Sequence, residues 1–353
     1  MTAVRRHLID VALIIAAIVL QVAPIPRDWI ENAYANGVYA GLARTFVPLS
    51  SRVPFSIGDV LLFGIVGGVI AYWIVQLRRS RGRRWQAAAS LLLRTAGIVG
   101  LLLIWFYVSW ALNYRRAPVI ARVAYDPARV TAANVSAFSR RIVDDLNRTA
   151  PRAHAENESR SAMEAALARA FEPVPGRLGD RWDVIVSRPK TTIVQPWFAA
   201  AGIGGQWDPF AYETIVNADF LPYELPFALA HEWGHVAGFG DESDANLIGA
   251  LTCLRSDDPL VHYSGLFWTY GFLPDSERKN LKVSALVYAD LIASRDRFYQ
   301  HYNPKIYSFQ WFTYDKYLRA NRVSAGVVSY SLFVQVLVGT PLDDMGLPLA
   351  RSR

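Results

Sequence analysis

The residues best suited to chemistry in this 353-residue chain lie together in His231-Glu-Trp-Gly-His235-Val-Ala-Gly238-Phe-Gly240-Asp241-Glu242-Ser-Asp244-Ala-Asn246. The first five form H-E-x-x-H. On a helix this spacing sets two imidazoles on one face, where they can grip one Zn²⁺, while Glu232 beside the first histidine reaches the water that the ion activates. Peptide hydrolysis needs such a carboxylate, because the attacking water must lose a proton that later reaches the leaving amine. The preceding Leu225-Pro-Phe-Ala-Leu-Ala230 is apolar, so the helix is expected to be buried. Two histidines and a glutamate would cost free energy there unless a cation met them.

A catalytic zinc requires a third protein ligand and one open position. Gly238 and Gly240 should stop the first helix and turn the chain, so that a second helix starting near Glu242 brings its first turn back beside His231 and His235. Glu242 is the expected ligand. Asp241, three residues after Gly238, is the alternative, and Asp244 and His262 also stay open. Asn246, one turn past Glu242, is placed to hydrogen-bond a ligating imidazole. Tyr263, His262 and Tyr223 are candidates for the donor that would stabilise a tetrahedral oxyanion.

The elements that must position these groups are mostly helical. Residues 131–172 show helical spacing, with Phe138, Ile142, Val143 and Leu146 on one face. Short strands are expected over Asp183 to Ser187, at Ile193-Val194, and over Tyr212 to Ala218. Gly202 to Gly205 reads as a loop or tight hairpin. The Tyr212 to Asn217 segment is either an ordinary sheet strand or an edge strand on which an extended substrate could lie. Glu213 and Asn217 are too polar for a strand core and are expected at the cleft or a turn. From Pro226 the pattern is helical nearly to the end. The apolar run Val327 to Val338 is short for a bilayer and reads as a buried helix.

The composition is 52% hydrophobic and only 19% charged, with a mean hydropathy of +0.16. Three apolar stretches, near residues 8–24, 60–77 and 95–112, have about the length that spans a bilayer. Asp10 and Gln21 interrupt the first, which reads as an uncleaved helix; the small-x-small triplet Ala33-Tyr34-Ala35 lies well beyond it. The first 112 residues carry the whole net charge of +7, all of it from arginine. A nucleic-acid-binding surface should instead place basic charge on the folded domain, so nucleic acid is excluded as a partner. Arg5 and Arg6 precede the first stretch, and Arg78, Arg79, Arg81, Arg83 and Arg84 fill the loop between the other two. Both places are expected on the cytoplasmic side, with Arg94 snorkelling toward it and everything after Asn113 outside. Trp105, Phe106, Tyr107, Trp110 and Tyr114 read as an interfacial belt. A lone cysteine, Cys253, excludes a disulfide framework within the chain.

The H-E-x-x-H followed by Glu242-Ser-Asp-Ala-Asn246 resembles the gluzincin peptidases, in which the glutamate of the second motif is the third zinc ligand; H-E-x-x-H-x-x-G-x-x-D also resembles the metzincin spacing. More broadly the chain looks like the bacterial membrane family known as domain of unknown function 3810. The matching stretches are Trp110-Ala-Leu-Asn113-Tyr114-Arg115, Pro209-Phe-Ala-Tyr-Glu213-Thr-Ile-Val-Asn217, His231 to Asn246, Tyr263-Ser264-Gly265, Tyr317-Leu-Arg-Ala-Asn321 and Gly326-Val-Val-Ser-Tyr330. Asp244 and Val236 depart from the glutamate and glutamine expected there. The resemblance implies a zinc-peptidase-like site in the bacterial inner membrane and no established substrate.

The expectation is therefore three transmembrane helices within residues 1–112, followed by a mainly α-helical (α+β) zincin-like extracytoplasmic domain with a small sheet over 113–353. The function expected is a membrane-anchored zinc-dependent metallopeptidase, with the lipid bilayer and a peptide or protein substrate as partners. The alternative is a non-catalytic membrane scaffold with a structural zinc. An intramembrane protease does not fit, because Glu224, Asp241 and Glu242 make the segment around His231 too polar.

Overall fold

Four helical stretches account for the first 110 residues of the computed structural model, which describes residues 3–80, 82–155, 159–323 and 332–351. Ile57–Arg79 and Arg84–Ser109 are each long and apolar enough to cross a membrane. Helix Ala3–Val22 stops short of Pro24, and the chain bends by 106° into Arg27–Ser51; counted as one broken span, this pair makes three. The third apolar helix begins at Arg84, well before residue 95, because its first two turns are helical without being apolar.

Asp10, the residue that interrupts the first stretch, pairs with Arg94 at 2.7 Å. Arg94 therefore joins two helices and does not simply snorkel. The helices meet closely because Gly97 and Gly100 have no side chain: a Cβ there would fall 2.7 Å from Asp10 Oδ1 and 3.0 Å from the Leu13 carbonyl carbon.

The Arg27–Ser51 stretch, unmarked by the sequence patterns, belongs to the core. Its π-helical portion, Ile30–Tyr39, widens the turn so that Ile30, Tyr34 and Tyr39 are buried along with Ala43 and Val47. Tyr34 and Ala35 of the cleavage-like triplet are thus inside the folded unit. The expected aromatic belt also packs inward: Trp105 on Tyr212, Phe106 on Tyr317, and Trp110 on Trp207.

The remainder is mostly helical, with one small sheet. Ala132–Ala155 and Arg160–Phe171 match the helical pattern of 131–172. The sheet has strands β1 (Pro189–Lys190), β2 (Gly205–Asp208) and β3 (Glu213–Val216) in the order β1-β3-β2, β3 being parallel to β1 and antiparallel to β2. Two strand expectations need correction, and a third, Tyr212 to Ala218, resolves in favour of an ordinary sheet strand. Asp183 to Ser187 is irregular, its end held where the Ser187 carbonyl accepts the Trp233 indole N–H at 3.0 Å. Ile193-Val194 leads into helix Gln195–Ala201. Tyr212 to Ala218 does supply a strand, but a central one; the edge nearer the H-E-x-x-H helix is β2, begun by the glycines read as a loop.

Glu213 does not face a cleft. Its buried carboxylate pairs with Lys190 Nζ at 2.6 Å and accepts bonds from Ser56 Oγ (2.7 Å), Gly58 N (2.8 Å) and Ile57 N (3.0 Å). A carboxylate at a helix N-terminus satisfies amides that have no partner within the helix, so the central strand holds the start of the 57–79 helix. Asn217 likewise takes a structural place between Gln195 and the Ile203 carbonyl. Of the Val327 to Val338 run, Phe333–Gly339 is a largely buried helix packed on Phe272. Residues 327–331 of that run, the Gly326 to Tyr330 stretch and Arg81 lie outside the described residues.

Candidate metal centre

The H-E-x-x-H segment folds as helix Leu225–Val236, opened by Pro226 in its first turn, a position that needs no amide donor. Trp233 points to the core side against Phe171, which turns His231 and His235 the other way. The helix ends at Gly238, whose φ of +89° is strained for residues with a side chain. At Gly238 a Cβ would come within 3.0 Å of Arg116 Nη1, and at Gly240 within 2.9 Å of the Tyr114 ring. These two glycines let flanking elements close on the turn. Arg116 then caps the carbonyls of Ala237 and Gly238.

Helix Glu242–Leu254 starts at once, with Asp241 as N-cap: its Oδ1 accepts the Ser243 amide at 2.8 Å. Gly234 permits close packing, since its Cβ position lies 3.3 Å from the Ala245 backbone. Glu242 is thereby brought under the two histidines. Its Oε2 is 3.2 Å from His231 Nε2 and 3.6 Å from His235 Nε2, and the three ligand atoms all lie within 4.8 Å of one another. Ligand atoms at tetrahedral corners about 2.05 Å from a zinc are roughly 3.4 Å apart, close to the two separations from Glu242 Oε2 to the imidazoles.

The other ring nitrogens fix the tautomers. His231 Nδ1 meets Asn246 Oδ1 at 2.8 Å and His235 Nδ1 meets the Phe239 carbonyl at 2.7 Å. A carbonyl only accepts, so each Nδ1 carries a proton, and Nε2, on the side of Glu242, is the ring atom available to an ion. The cluster of His231, His235 and Glu242 could hold a metal ion.

Electrostatics distinguish the two glutamates. Burial alone would raise both carboxyl pKa values. The imidazoles outweigh that at Glu242 and hold it well below the usual carboxylate range, whereas at Glu232 burial wins and the pKa is raised. Glu232 Oε2 is buried with no hydrogen-bond partner, and the missing side chain of Gly205 makes room for it: a Cβ there would be 2.5 Å from Oε1.

The remaining candidates lie elsewhere. Asp241 is a cap. Asp244 accepts the Val119 amide at 3.1 Å, and its carboxyl is pushed up to about 7 by burial and by Asp241. His262 lines a cavity of about 840 Å³ with Leu254 and Arg255, away from the ligands. Tyr263 and Tyr223 hydroxyls donate to the carboxylate and carbonyl of Asp290. The tyrosine that does reach the cluster is Tyr314, whose hydroxyl donates to Glu242 Oε1, stacked on Tyr317. No motif marks Tyr314; Tyr317, three residues on, falls in a family-like stretch. Trp110 sets a ring edge-on to His235, centroids 5.9 Å apart.

No curated protein and no solved structure matches the chain. The family model described as Protein of unknown function (DUF3810) matches residues 34–338, a stretch that contains His231, Glu232, His235, Glu242, Asn246 and Tyr314. The chain belongs to this DUF3810 family.

Proposed function

We propose that this chain is a membrane-anchored zinc metallopeptidase of the bacterial inner membrane, built on a zincin-like domain and acting outside the cytoplasm. The observation that carries the reading is the convergence of two imidazole Nε2 atoms and one carboxylate oxygen beside a second carboxylate, Glu232, that keeps one buried oxygen without a hydrogen-bond partner. A two-nitrogen, one-oxygen set suits Zn²⁺, and three protein ligands leave a position open for chemistry. His231, His235 and Glu242 would hold the ion, which when bound supplies Lewis-acid polarisation of a scissile carbonyl and of water.

The chain's own residues supply the rest. Glu232 takes a proton from the attacking water and returns one to the leaving amine; its raised pKa brings it toward the range in which a carboxylate does both. Asn246 and the Phe239 carbonyl keep the imidazoles oriented. Tyr314 is the donor nearest the ligands, in the place sought for Tyr263, His262 or Tyr223. An extended peptide would lie along edge strand β2, not along Tyr212 to Asn217, because β2 passes Glu232 at Gly205 and has one side unpaired in the described sheet. Arginine at both ends expected to be cytoplasmic orients the site outward. A scaffold with a purely structural zinc has no use for Glu232.

The test is Glu232→Gln, which keeps shape and one hydrogen bond but cannot accept the proton. The variant is expected to insert in membranes, hold stoichiometric zinc by metal analysis, and lose roughly 10²–10⁴ in hydrolysis of any peptide the wild type cuts. Hydrolysis at the wild-type rate would make the metal structural.

A further inference from the structure

Helix Pro304–Ala320 presents two unlike faces. Inward, Tyr314 touches Glu242, and Leu318, one turn on, is buried. Outward, Lys305, Phe309, Phe312 and Lys316 follow at intervals of four, three and four, a single stripe on the helix surface. Phe309 is 61% and Phe312 65% exposed, and Lys316 Nζ lies 5.4 Å over the Phe312 ring. Two phenylalanines this exposed between two lysines add little to the packing of the chain, Phe309 keeping only an edge contact with Trp197.

The position of the helix says what covers them. Near one end, Trp197 packs edge-on to Phe309 at 6.3 Å and donates its indole N–H to Gln310. Trp197 belongs to the helix entered through Thr192 and Ile193, which both bond Asp59 in the first turn of the 57–79 helix. Near the other end, Tyr317 packs on Phe106 and Asn321 accepts from the Tyr107 hydroxyl, both in the last turns of the 84–109 helix. Consecutive helices joined by a short loop place the start of one and the end of the next on the same side. The 304–320 helix therefore lies on the side where the 57–79 helix starts and the 84–109 helix ends, and Ile193 beside Asp59 is 71% exposed there.

On the reading that the 57–79 and 84–109 helices span a bilayer, we propose that the Lys305–Phe309–Phe312–Lys316 face is a lipid-binding surface. The phenylalanines sit among acyl chains just below the headgroups, and the lysines meet the phosphates of anionic lipids. The partner is the bilayer that already surrounds the apolar helices, not a separate protein, because this stripe continues their lipid-facing surface through Trp197 and Ile193.

Spin labels test this without any need for activity. Phe309→Cys, Phe312→Cys, Ile70→Cys and Arg148→Cys are each labelled in the full chain in anionic-phospholipid nanodiscs; native Cys253 is fully buried and stays unlabelled. Labels at 309 and 312 are expected to collide with dissolved oxygen and be shielded from a water-soluble nickel chelate, nearer to the Ile70 control than to Arg148. Replacing Lys305 and Lys316 with Glu is expected to raise nickel access at 309 in anionic but not in zwitterionic discs. Nickel access at 309 and 312 equal to that at Arg148 would overturn the proposal. So would spin–spin broadening that grows with chains per disc, which would assign the face to a second copy. Nickel access at Ile70 would remove the spanning helices on which the proposal rests, leaving the peptidase reading of the metal centre to its own test.

Discussion

Two clusters in this molecule combine histidine, carboxylate and tyrosine, one around Asp290 with His154 at its exposed rim and one around Glu242. Around Asp290 everything is satisfied: its Oδ2 accepts from Tyr263 and lies 2.9 Å from His154 Nε2, while its backbone carbonyl accepts from Tyr223. Around Glu242 the groups are not self-sufficient. Two imidazoles crowd onto a single carboxylate oxygen, and Glu232 beside them keeps an oxygen with no partner. Residue types alone do not separate the two, since both hold the ingredients of a catalytic site. Incomplete pairing in a dry interior is what marks a place meant for something else.

The contrast breaks most sharply at the ligands. His235→Ala or Glu242→Ala is expected to remove most bound zinc, measured by metal analysis of the purified protein, while Asp241→Ala keeps it and loses about 1 kcal/mol of helix capping. Retention of full zinc by Glu242→Ala would assign the ion to other groups. Asn246→Ala should leave the ligand set intact and weaken zinc roughly 10- to 100-fold in a competition titration, since the His231 ring loses its orienting partner. In the closed cluster the expected sign pattern reverses. Asp290→Ala strands the buried Tyr263 hydroxyl and is expected to lower unfolding stability by about 1–3 kcal/mol with unchanged zinc content.

A part-buried carboxylate outside both clusters gives an effect read only in the pH dependence of stability. Asp208 is pushed up to about 6, mainly by burial and in part by Glu213, against a bond from the Phe210 amide that pulls it down. A raised carboxyl favours the protonated folded state. Its contribution is complete below the unfolded pKa of roughly 4 and is lost as pH rises through about 6. Asp208→Asn should flatten that part of the stability–pH curve, and an unchanged slope between those values would show that Asp208 is not its source.

Much of the metal centre is legible in the sequence because it is local. Spacing on one helix, two glycines and the next helix start are enough to bring His231, His235 and Glu242 together, and Asn246 follows from one more turn. Tyr314 is not legible: it arrives from 72 residues away on a helix whose pattern shows only that it is amphipathic. The sheet was misjudged for a related reason. Glu213 is too polar for a central strand unless Lys190 and the amides of Ile57 and Gly58 come to it, and no local pattern announces those partners. Apolar length likewise finds the 57–79 and 84–109 helices but not Arg27–Ser51, whose buried face includes tyrosine and alanine that hydropathy discounts.

Tyr39 in that overlooked stretch donates its hydroxyl to the carbonyls of Val236 (2.8 Å) and His235 (3.3 Å), at the end of the metal helix, and Glu31 nearby pairs with both Arg116 and Arg122. The frame of the metal centre is thus stitched from chain on both sides of the two long apolar helices. On the proposed peptidase reading, a nick after Ser109 would not release a working catalytic domain, because part of the wall of the candidate site lies before the apolar helices. On that reading, shedding is closed to this protein as a way of sending its chemistry elsewhere, and a homologue that lost its apolar helices would have to rebuild the end of the H-E-x-x-H helix as well.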